Sequence, residues 1–113
     1  STPTVAKSVH NDKVNEVATK AVKALDKHAT GIFCLDLKED KDGVPNIMEA
    51  NVGRFFTTSL FFSTAGANMP YSYLRLGYNE SIPEQKKYNA VPKDWVWVRN
   101  IDCGQQLVRE EDL

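Results

Sequence analysis

The chain has 113 residues, of which 42% are hydrophobic and 26% charged, enough for one domain with a core of its own. Fourteen Lys and Arg against fifteen Asp and Glu give a net charge of -1, so there is no basic field to hold nucleic acid or an anionic membrane. No apolar run approaches the roughly 20 residues that span a bilayer, and two cysteines, Cys34 and Cys103, are too few for a secreted disulfide framework, which makes a reducing cytoplasm the expected setting.

In chain order, the first ten residues lack a clear period and suit a loop or an edge strand around Thr4 to Val9. Val14, Val17, Ala18, Ala21, Val22 and Leu25 then recur at helical spacing. Asn11 or Asp12 is placed to cap the start of this helix and Gly31 to close its end, with His28 in the last turn. From Gly31 the period becomes two, with Phe33, Leu35 and Leu37 on one side and Ile32, Cys34 and Asp36 on the other. Asp42-Gly43 is a strong hairpin signal, and a second strand follows to Asn51. Thr57 or Thr58 starts a short helix through Leu60-Phe61-Phe62 that stops at Gly66, and Pro70 opens another that ends at Gly77. Residues 78–93 read as a surface connection before a late strand beginning Trp95-Val96-Trp97-Val98, and Arg109 to Leu113 as a frayed tail. Asn79-Glu80-Ser81 matches a glycosylation sequon, a three-residue pattern common by chance. The expected fold is α+β: one domain, residues 1–113, with an antiparallel sheet (hairpin about 31–51 plus late strand about 95–101) packed with helices.

A two-residue turn at Asp42-Gly43 places Asp36 across from Glu49, Cys34 across from Asn51 and Lys38 across from Ile47. Two carboxylates directly opposite one another repel unless a cation lies between them. Asn51, two residues beyond Glu49, adds a carbonyl oxygen on the same face, so Asp36, Glu49 and Asn51 form a hard-oxygen set suited to magnesium or manganese. A four-residue loop preserves this arrangement, whereas a three- or five-residue loop turns Asp36 toward the other face. On pattern alone, a solvated sheet face carrying two acids and an amide explains the same residues. An EF-hand loop does not fit, because Lys38 stands where an acidic ligand belongs and the flanks have strand period.

The runs Gly31-Ile32-Phe33-Cys34-Leu35-Asp36-Leu37, Asp42-Gly43-Val44-Pro45 and Met48-Glu49-Ala50-Asn51-Val52-Gly53-Arg54 resemble the magnesium-binding hairpin of ATP-grasp enzymes, in particular the carbamoyl phosphate synthetase large-subunit branch. Thr57-Thr58, Ser63 to Asn68 and Trp97 to Asp102 also look like the C-terminal part of such relatives, so the resemblance covers most of residues 11–108. It implies the C-terminal lobe of an ATP-grasp domain, with Glu49 as bridging metal ligand and Asp36 and Asn51 as flanking ligands of the ions that bridge ATP phosphates. Arg54 corresponds to a catalytic clamp on a transferred phosphoryl group or anionic substrate, one position later than in the usual Glu-x-Asn-Pro-Arg run.

The same resemblance implies Mg or Mn as cofactor, ATP as co-substrate, and a small carboxylate or bicarbonate converted to an acyl phosphate that an amine attacks. It also implies an upstream ATP-grasp half, in cis or in trans, without which this chain is inactive. A lobe separated from that half is expected to expose apolar surface and to self-associate. The alternatives are a non-catalytic ATP-grasp remnant and a small α+β interaction or metal-binding module. Cys34 reads as a small core residue, and Arg75 and Lys38 as surface charges within possible reach of phosphate.

Overall fold

The computed structural model describes residues 3–100 and 104–113. Ile101 and Asp102, at the expected end of the late strand, and Cys103 lie outside the described residues. The fold is α+β, with antiparallel sheets packed with three α-helices. The strands divide between a three-stranded sheet and a separate two-stranded one, so the hairpin and the late strand do not share a sheet. Correspondingly, the chain forms two compact units, one comprising Asn11–Phe56 and the other the N-terminal strand together with everything from Thr57 onward.

In the Asn11–Phe56 unit, helix α1 (Asp12–Leu25) packs on a hairpin of β2 (Phe33–Glu39) and β3 (Pro45–Val52); strand β1 belongs to the other unit. Asn11 caps α1 by accepting a hydrogen bond from Val14 N at 3.2 Å. Val14, Val17, Ala18, Ala21 and Val22 form its half-buried stripe, while Lys20 and Glu16 pair on the solvated side. The helix stops earlier than Gly31: Asp26 is its C-cap, and its carboxylate accepts from His28 N at 2.8 Å. His28 therefore lies beyond the helix rather than in its last turn, and Gly31, at φ 120°, turns the chain into the hairpin.

The hairpin loop also differs from expectation. Asp40 N donates to Val44 O at 3.0 Å and Gly43 N to Asp40 O at 3.1 Å, with Gly43 at φ 72°. Lys41, Asp42 and Gly43 thus form a three-residue loop, a turn followed by a left-handed glycine. Asp40 selects it, because its carboxylate accepts from Asp42 N and Val44 N, both at 2.9 Å, which satisfies loop amides that a two-residue turn would not present.

These bonds, that to Val44 N first, hold the Asp40 carboxyl below its ordinary titration range. A lowered folded-state value means that Asp40 supports the loop above the ordinary carboxylate range and that the support is lost as pH falls through the lowered value. Amide exchange at Asp42 and Val44, corrected for intrinsic rates, is expected to accelerate as pH falls below the ordinary carboxylate value of about 3.9. In Asp40→Asn the corrected rates should not change over the same fall.

The other unit holds the sheet β1-β4-β5, all antiparallel, from β1 (Val5–Lys7), β4 (Trp95–Asn100) and β5 (Gly104–Arg109). Two helices, α2 (Ser59–Thr64) and α3 (Met69–Gly77), precede β4. The start of α3 agrees with its sequence signals, since Asn68 accepts from Tyr71 N at 3.1 Å and Pro70 lies in the first turn. Its core is Phe61, Ala67, Val91 and Trp97, flanked by Ala6, Phe62, Ala65, Trp95 and Leu107, and the Phe61 and Trp97 rings are 5.8 Å apart. The tail is ordered by a short 3₁₀ turn, Glu110–Asp112, and Lys7 Nζ reaches Glu110 Oε1 at 2.5 Å and Asp94 Oδ1 at 3.4 Å. This unit also exposes Leu60, Leu74, Leu76 and Tyr78.

Candidate functional site

Every expected site residue lies in the hairpin unit, on β3, on β2, or just past the end of β3. Asp36 pairs with Glu49 and Cys34 with Asn51, as the sequence predicts, although the loop has the odd length that should have separated them. The register explains why. Near the loop, Glu39 pairs with Pro45, Lys38 with Asn46 and Leu37 with Ile47, so Lys38 does not face Ile47. Continued unchanged, that register would set Met48 against Asp36 and move Glu49 and Asn51 to the face of Leu35. A bulge falls between Leu37 and Asp36 instead. It takes up Met48 as the extra residue, 69% exposed, and returns Glu49 and Asn51 to the face of Asp36.

Asp36 and Glu49 are exposed and Asn51 is half-buried. Residues directly opposite in an antiparallel pair have Cβ atoms about 5 Å apart, close enough for both carboxylates to address one cation. Gly53, at φ 77°, then turns the chain so that Arg54 comes back toward the face and donates from Nη2 to Asn51 Oδ1. Arg54 therefore reaches Asn51 from just past the end of β3.

The Cys34 thiol registers the charges around it. Burial first, and then the Asp36 carboxylate, push its pKa up; Arg54 pulls it down and Glu49 raises it. Cys34 is half-buried opposite Asn51, and the oxygen donors of this face are those of Asp36, Glu49 and Asn51. That donor set, two carboxylates and an amide at an exposed face with room for water, matches magnesium or manganese and does not match zinc or copper. Among the described residues no group of three or more His, Cys, Asp and Glu side chains is placed to hold a metal, so any cation here depends on the Asn51 amide as third ligand.

Two other residues read as possible phosphate contacts are placed elsewhere. Lys38 is exposed on β2 beside Asn46. Arg75 is committed within its own unit: Nε donates to Ser81 O at 2.5 Å, Nη1 donates to Tyr71 Oη at 3.0 Å and lies 3.3 Å from Glu80 Oε2. An open depression of about 540 Å³ is lined by Lys93, Asp94, Trp95, Arg109, Glu110 and Glu111, where Lys7 and Arg109 already pair with the acids.

The Met48 bulge and the Arg54 contact were not anticipated from sequence. The signal for the first is the three-residue loop that Asp40 and Gly43 specify, which demands a compensating residue if Asp36 and Glu49 are to meet. The signal for the second is Gly53, which permits the reversal. The chain matches no protein-family model, no curated protein and no solved structure. Among the described residues, no helix is long and apolar enough to cross a membrane.

Proposed function

We propose that this chain is the metal-binding, C-terminal portion of an ATP-dependent carboxylate–amine ligase of the ATP-grasp, carbamoyl phosphate synthetase-like type, working in the cytoplasm. The observation that carries the reading is the bulge at Met48, which gathers Asp36, Glu49 and Asn51 on one face against the register set by the loop. A hairpin selected only for packing has no need to return two like charges to opposing positions, an arrangement that costs stability.

In this reading Glu49, with Asp36 and Asn51 beside it, would hold the ion, and Arg54 would hold an anionic oxygen of the substrate with its planar guanidinium. A bound Mg or Mn would supply charge neutralisation on the phosphate oxygens of ATP. The residues that grip the nucleotide base belong to an upstream half, in the same polypeptide or in a partner.

A second reading is favoured by the Arg54 hydrogen bond to Asn51: a non-catalytic module in which Arg54 holds the amide oxygen as part of the hairpin's own structure. Mg-ATP affinity separates the two, measured on the longest polypeptide from the source cell that carries this sequence. The ligase reading expects Glu49→Gln to weaken Mg-ATP by at least about tenfold, the scale of losing a charged ligand interaction. Unchanged affinity would remove the ligase reading and leave the module.

A further inference from the structure

Strand β2 has one edge on β3 and the other on no strand, because the sheet that holds it consists of β2 and β3. Gly53 N donates to Ile32 O at 2.9 Å and Asp40 N to Val44 O at 3.0 Å. These two bonds fix the alternation between them: the backbone groups of Cys34, Asp36 and Lys38 point to β3, and those of Phe33, Leu35, Leu37 and Glu39 point outward. The bulge puts its extra residue in β3, so the alternation along β2 is unbroken. Among the described residues no backbone hydrogen bond reaches the outward groups of Leu35, Leu37 and Glu39.

An open edge pairs with another strand unless its side chains oppose it. The charges of β2 favour a second β2, and at one register. Antiparallel pairing about a twofold axis at Leu37 sets Leu37 opposite Leu37 and Leu35 opposite Glu39, so that outward groups meet outward groups. It also sets Asp36 opposite Lys38 of the second copy, and Lys38 opposite its Asp36, at the positions where side chains approach most closely. An axis at Asp36 or at Lys38 opposes like charges, and one at Leu35 sets Asp36 against Cys34 and Lys38 against Ile32. Asp36 and Lys38 are both exposed, and among the described residues neither is in an ion pair.

We propose that β2 is a dimerisation edge, through which two copies of this chain join in antiparallel register about Leu37 to make one continuous sheet, β3-β2-β2-β3. A two-stranded sheet is marginal in water, and widening it over an apolar face stabilises it. Phe33, Leu35 and Leu37 supply that face and are only half-buried in the single chain. Glu39, opposite Leu35 of the second copy, has its carboxylate drawn toward the start of α1, where Asn11 Nδ2 donates to Oε1 at 3.4 Å. The inference does not depend on the metal-binding reading given above.

Sedimentation equilibrium of the full chain in chelator tests it, free of any contribution from divalent ions. Wild type is expected to be dimeric. Asp36→Lys and Lys38→Glu each oppose like charges at both crossings and should raise the dimer dissociation constant about tenfold. An equimolar mixture of the two variants, one of them labelled with nitrogen-15, restores opposite charges at both crossings. It should regain wild-type association as heterodimers, which native mass spectrometry identifies by mass, and that recovery also shows that both variants fold. Three results would each overturn the β2 edge: a wild type that stays monomeric at about millimolar concentration, single variants that associate as tightly as wild type, or a mixture no tighter than its components.

Discussion

Trp97→Ala is expected to unfold the three-stranded unit at room temperature or bring it to the edge of unfolding. Trp97 is 3% exposed and packs with Phe61, Ala67 and Val91, the only other buried residues of that cluster, and no side chain among the described residues is buried to below 2% exposure. Truncating a large core aromatic costs about 3–5 kcal/mol, against a total stability of about 5–15 kcal/mol for an ordinary domain. A unit with so thin a core sits toward the low end of that range. The loss also spreads, because Trp97 pairs with Ala6 of β1 and Leu107 of β5 and so stands where both edge strands meet the central one. Urea unfolding followed by the fluorescence of the remaining Trp95 would read the change. A loss of under about 1 kcal/mol would mean that Trp97 is not the centre of the core.

The elements specified by neighbouring residues were legible in the sequence. Asn11 capping α1, Pro70 opening α3 and the alternation through Phe33 to Leu37 each express a bond or a period within a few residues, and the structure has them where those signals lie. What was not legible depends on contacts distant in sequence or on counting. Gly31 looks like a helix stop, but α1 ends at Asp26, whose side chain finds His28 N before the glycine is reached. The sequence carries no mark of which strands pair, and β1 lies against β4 across most of the chain length, a partnership set by burial of Trp97 and its neighbours. Strand β5 was missed altogether, since Gln106, Leu107, Val108 and Arg109 show little alternation.

The candidate site shows the same division. The pairing of Asp36 with Glu49 was anticipated from a two-residue turn that does not form. Asp40 draws the loop into a three-residue form, and the bulge at Met48 restores the lost parity. A period of two carries no information about a single residue inserted into it. Arg54 reaches Asn51 through a left-handed Gly53, and a turn of that kind follows from backbone geometry that sequence spacing does not express.

Glu49→Gln should separate stability from binding by moving them in opposite directions. In the absence of divalent cation, Asp36 and Glu49 face each other across the ladder as like charges, and removing one charge relieves about 0.2–1 kcal/mol of repulsion. The Glu49→Gln hairpin is therefore expected to be slightly more stable than wild type in chelator. Adding Mg²⁺ or Mn²⁺ reverses the order. A ligand that binds only the folded state stabilises it by about 2.7 kcal/mol at a hundredfold excess over its dissociation constant, and for a domain of this size each kcal/mol is worth about 4–8 °C in melting temperature. Wild type should gain of the order of ten degrees in saturating Mn²⁺ and return to its starting value with chelator, while Glu49→Gln gains little. A circular dichroism melt of both proteins with and without Mn²⁺ reads all four values. Equal metal-induced shifts in the two proteins would show that Glu49 is not a ligand. A Glu49→Gln variant less stable than wild type in chelator would show that the like-charge cost invoked for this face is absent.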